Sequence, residues 1–122
     1  MKIKDISVLV NNSQDFYLAI GDFLDEFSKK TDKEKTESLK EKPFTMSQRE
    51  YLPFLAATAH KLANDNNLIV PKWVFNDDCY LIDNPFFAAN AKGNLRLLFM
   101  YKSPAEFKHR NLFVDENVLE RV

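Results

Sequence analysis

Two glycines and one cysteine in 122 residues set the first limits on this chain. With Gly21 and Gly93 alone, neither a phosphate-cradling P-loop nor a G-x-G-x-x-G dinucleotide fingerprint can be written. Scarce glycine beside five prolines leaves too few turn formers for a sandwich of short strands. The single thiol, Cys79, excludes an internal disulfide framework and fits a reducing compartment. No apolar run approaches the ~18 residues that a spanning helix needs. Asp5 breaks the short apolar opening before it resembles a secretory leader, so a cytoplasmic chain is expected. Charge of one sign is lacking too. Seventeen Lys and Arg against eighteen Asp and Glu give a net charge of −1, and no global field draws the chain to nucleic acid or anionic membrane.

What the chain does have is phenylalanine: eleven, beside four Tyr and one Trp. Phe carries no polar group, so most of these belong in a core, and the length suits one domain. Ile3, Ile6, Val8, Leu9 and Val10 form a β-leaning patch, either a short strand or an extended arm. Ser13 and Asp15 make a helix start, and Phe16, Ile20, Phe23, Leu24 and Phe27 recur at helical spacing. Residues 28–42 hold Leu39 as their only large apolar side chain and suit a solvated, charge-laced helix or a linker. Ser47-Gln48-Arg49-Glu50 has the form of a capping box opening a helix to about Asn64, with Pro53 beyond the first turn, bending the helix or delaying its regular part. Leu68 to Pro71 is extended, because a residue before proline avoids the helical region.

After Gly93 comes LRLLFMYK, residues 95–102, an apolar run of ambiguous period. Its Leu, Met and Arg and its lack of β-branching predict a helix, with Asn94 as cap. Ser103-Pro104-Ala105-Glu106 then writes a serine cap, an N1 proline and an N3 glutamate, and Asp115 opens a last turn through Val122. The expectation is a mainly α, small single-domain helical fold, with at most a short N-terminal β element. Residues 1–44 form an arm, helix and charged linker, and residues 45–122 the helical core.

The residues that could carry chemistry have simpler roles. His60 lies mid-helix with Asn64 four residues on, and Asn is a poor metal ligand. His109 stands between Lys108 and Arg110, two charges that disfavour its protonation. Asp77 and Asp78 beside Cys79 oppose a thiolate, and Asp77, Asp78 and Asp83 lack the glycine and glutamate of a calcium loop. No catalytic, metal or cofactor constellation is written here, and a small enzyme built from His60 or His109 with distant residues ranks third, after protein interaction and DNA binding. Charge placement remains. Arg96, Lys102, Lys108 and Arg110 face Glu106 alone, a local net of +3. Such a patch suits an acidic protein partner first and nucleic acid second, while Lys108 and Arg110 also suit the end of the preceding helix.

From about Leu55 the order of motifs is distinctive: LAATAHKLANDNN, Val70-Pro71-x-Trp73, Asn84-Pro85-Phe86-Phe87, an Arg-Leu-Leu run, Ser103-Pro104-x-x-Phe107, and a basic pair before Phe113-Val114-Asp115. This resembles a small bacterial domain found at the C-terminus of Xre-like regulators and in toxin–antitoxin-type loci. The resemblance implies a non-enzymatic, antitoxin-like or regulatory partner-binding role, carried to Trp73, Phe86, Phe87, Arg96, Phe107, Arg110 and Phe113. Residues 1–44 depart from it, since one helix and a charged segment do not make an Xre DNA-binding domain. The candidate partner-binding residues are Arg96, Lys102, Lys108, Arg110, Trp73 and Phe113.

Overall fold

The computed structural model describes residues 1–11 and 15–120. Six helices carry the fold: α1 (Ile3–Asn11), α2 (Phe16–Phe27), α3 (Asp32–Leu39), α4 (Tyr51–Asp65), α5 (Asn94–Lys102) and α6 (Ala105–Lys108). Two strands, β1 (Phe86–Phe87) and β2 (Leu112–Phe113), pair in parallel, Phe86 opposite Leu112 and Phe87 opposite Phe113. The fold is therefore mainly α, with its short strands in the second half of the chain.

The opening segment is a helix and not a strand or arm. Ile3 and Ile6, three apart, are fully buried, and this tertiary packing outweighs their β preference. The Asp5 carboxylate also accepts the Lys2 amide at 2.8 Å, closing the first turn. α2 follows its apolar spacing and is capped by Asp15, whose Oδ1 accepts the Leu18 amide at 3.0 Å. Ser13, the other half of the expected start, lies outside the described residues. The charged segment is helical: Thr31 and Glu34 form a reciprocal capping box, and α3 buries Leu39. One hydrophobic cluster takes Ile3, Ile6 and Leu39 from before position 44 together with Leu55, Phe107 and Val114 from after it.

α4 is the centre of the molecule, with ten buried residues along its fifteen. The capping box expected at Ser47–Glu50 does not form. Those residues are a bend and turn, and Glu50, the N-cap, makes no side-chain cap bond. Because α4 begins at Tyr51, Pro53 falls inside its first turn, where a missing N–H forfeits no helical bond. Of the two outcomes expected at Pro53, the delayed start is the one observed, and Phe54 N bonds Glu50 O at 2.9 Å.

Ser103 does not cap α6 either. Its buried hydroxyl accepts the Val114 amide at 2.8 Å and stands 2.6 Å from Phe99 O and 3.0 Å from Val114 O. It therefore pins the end of α5 to the residue after β2. Pro104 takes the N-cap place without a side-chain bond. Asp115 does turn the chain, accepting the Asn117 amide at 3.0 Å, but residues 116–119 are turn rather than helix, and Val122 lies outside the described residues.

Candidate functional site

α5 is flanked by Gly93 at its N-cap, whose φ of 56° an L side chain rarely adopts, and by Ser103 at its C-cap. Asn94 is its first residue rather than its cap, and no side-chain cap bond forms. Within the helix only Phe99 is buried. At 100° per residue, Leu97 and Tyr101 project away from Phe99, and Met100 and Leu98 flank them on either side. All four are exposed, Leu97 to 63% and Tyr101 to 82%. A helix apolar on every side is ordinarily buried on every side. Here the outer half has no covering layer among the described residues.

Two of the candidate residues, Arg96 and Phe113, gather with Phe87 beside this helix. Phe87 and Phe113 stack with centroids 5.0 Å apart, and the Arg96 guanidinium lies 4.3 Å from the Phe87 centroid. Arg96 Nε also donates to Ala91 O at 2.8 Å, which fixes the stem while leaving the residue exposed. At the other end of α5, exposed Lys102 meets Glu116 at 3.6 Å. Lys108 Nζ donates to Tyr101 O at 3.1 Å, placing a cation on a carbonyl of the last turn of α5, where the helix dipole favours it.

Trp73 and Arg110 are not on that surface. Trp73 is buried in the 3-10 turn Lys72–Phe75, its indole N–H donating to Leu39 O at 2.9 Å, and so joins the end of α3 to the core. Arg110 is only 1% exposed. Its Nη2 donates to Val74 O at 2.9 Å, and its Nη1 donates to Glu106 O at 2.8 Å and to His60 Nδ1 at 3.2 Å. The guanidinium lies 4.8 Å from the Tyr80 centroid, and its buried Nε has no partner. No carboxylate lies within ion-pair distance of it among the described residues. Arg110 thus holds α4, the Trp73 turn and α6 together, and the surface patch of four cations shrinks to three.

The same contact decides His60. Arginine only donates, so His60 Nδ1 must accept and its proton sits on Nε2. Burial first, and the Arg110 charge second, hold this imidazole below its ordinary pKa. His109 is exposed at the end of α6. The Cys79 thiol is pushed up to about 11 by burial and then by Asp78, which suppresses the nucleophilic thiolate. Among the described residues no three His, Cys, Asp or Glu side chains assemble a metal-binding group, and no helix is long and apolar enough to cross a membrane.

The exposed apolar face of α5 is what the sequence signalled without disclosing. Between Leu95 and Tyr101 only Arg96 is polar, a composition that one layer of neighbours cannot cover. Comparison with protein-family models, with curated proteins and with solved structures found no match.

Proposed function

We propose that this chain is a non-enzymatic protein-interaction module whose docking surface is the outer face of α5. The single observation that carries this is the row Leu97, Leu98, Met100 and Tyr101, apolar and exposed on a helix that buries only Phe99. Clustered apolar exposure of this kind marks interaction surfaces on folded proteins. The occupant it fits is a partner helix or strand with an apolar face edged by carboxylates. Between residues 84 and 105 there is no acid, while Lys92, Arg96 and Lys102 are present. Glu116 meets Lys102 at one end, but Arg96 at the other has no ion pair among the described residues. A second copy of the chain would bring the same cations to the same rim, with no α5 carboxylate to meet them. Steering by such charge favours an acidic partner. The biological setting follows from the resemblance to domains of Xre-like regulators: an antitoxin-type neutraliser or regulator in a bacterial cell.

The test compares the tagged chain with its Leu97→Asp/Tyr101→Asp variant, each isolated from the source cells after circular dichroism has confirmed folding. A stoichiometric partner that is lost from the variant and contains an acid-flanked apolar segment is the expected result. Recovery of the same proteins with both forms overturns the proposal. So does variant-sensitive sedimentation with anionic vesicles, or a variant-sensitive gel shift with duplex DNA, in the absence of such a partner.

A further inference from the structure

A separate feature lies on the inner side of the molecule, away from the outer face of α5. A cavity of about 550 Å3 opens to solvent between α2, α4, the 3-10 turn Ala88–Asn90 and the segment after β2. Its volume is in the ~300–1,000 Å3 range of small-molecule sites. Ile20, Leu24, Phe54, Phe99 and Val114 give it apolar walls. Two departures from local preference meet at those walls. Gly21 occupies the interior of α2, where glycine is the least favourable ordinary residue. It follows Tyr17 by four positions and precedes Leu24 by three, so any side chain there would stand on the cavity face. Ala89, also lining, has a φ of 55°. The other described non-glycine residues with positive φ are Asn67 and Asn111, of a type that tolerates it. Locally unfavourable choices that converge on one concavity are a signature of ligand sites.

The polar groups select the ligand. The Asp115 carboxylate lines the cavity and gives one oxygen to the Asn117 amide, with no ion pair among the described residues. The Tyr17 phenol lines the cavity as well, its pKa raised to about 12 by burial and then by the charge of Glu50. An anionic head group would face the Asp115 carboxylate, whereas an ammonium would be matched by it. We infer that this cavity binds a small apolar amine, its hydrocarbon against Leu24, Phe54 and Phe99 and its cationic head at Asp115.

N-benzylphenethylamine is the probe, with benzyl phenethyl ether as the uncharged molecule of the same shape. The amine, at ten times its Kd, is expected to raise Tm by about 5 °C. The ether should bind several-fold more weakly. Asp115→Asn keeps the acceptor for Asn117 and should reduce amine affinity to that of the ether. Gly21→Leu should abolish binding of both, and Val118→Trp at the same cavity serves if the leucine variant does not fold. Amide resonance changes should centre on Phe99 and Val114. No Tm shift up to millimolar amine overturns the site. Equal binding of amine and ether, or changes confined to the outer face of α5, overturns it equally.

Discussion

α4 and α5 are both rich in apolar residues, and the fold treats them in opposite ways. α4 buries Leu52, Leu55, Leu62 and its alanines on several sides, so its composition is consumed by the core. α5 gives the core Phe99 and leaves Leu97, Met100 and Tyr101 outside. Small residues account for part of the contrast. Ala56, Ala57, Ala59 and Ala63 let neighbouring elements approach α4 closely, whereas α5 has no alanine and, among the described residues, packs chiefly on β2. Apolar content alone therefore does not mark the core. Coverage does, and α5 is uncovered.

The contrast is sharpest in stability. Leu55→Ala, which hollows the fully buried centre, should cost about 2–5 kcal/mol in urea denaturation. Arg110→Met should cost about 1–3 kcal/mol, because Val74 O and Glu106 O lose a buried donor. A neutral effect there would mean that the guanidinium does not join α4 to its neighbours. Ser103→Ala removes the hydroxyl between Val114 and Phe99, and a loss of about 1–2 kcal/mol is expected. That loss would show that α5 is anchored through its end rather than through its outer face.

Acid titration separates the two regions again. The folded-state pKa of His60 lies below its ordinary value, so protonation favours the unfolded chain. The stability it contributes is complete above about pH 6.5 and is lost as pH falls below that. His60→Gln should flatten the stability profile below about pH 6.5, measured by denaturation at each pH. The smallest effect belongs to the outer face: Leu97→Ala and Tyr101→Ala should change stability by no more than ~0.5 kcal/mol. A larger loss would show that α5 is covered after all.

Helix type was legible wherever apolar spacing and burial agreed, as in α2 with Phe16, Ile20, Phe23 and Phe27. It was not legible in α1, because burial of Ile3 and Ile6 in packing with α2 and α3 decides against their local preference. Capping patterns misled at Ser47, Asn94 and Ser103: turn geometry takes priority at the first, Gly93 holds the cap place at the second, and a bond to Val114 occupies the third. The box the chain does form, Thr31 with Glu34, lies in the charged segment that offered least hydrophobic signal. For the site, Arg96 and Phe113 do meet around Phe87. The inward turn of Arg110 could not be read locally, since its partners His60 and Val74 lie 50 and 36 residues away.

The central claim is that the outer face of α5 is kept apolar for a partner. Its most direct test places the photoreactive amino acid p-benzoylphenylalanine at Tyr101 or, as control, at Thr36 on exposed α3, and irradiates the source cells. A discrete protein adduct from position 101, absent from position 36 and weakened by Arg96→Glu, is the predicted result. No adduct at 101, or the same adducts from both positions, would contradict it.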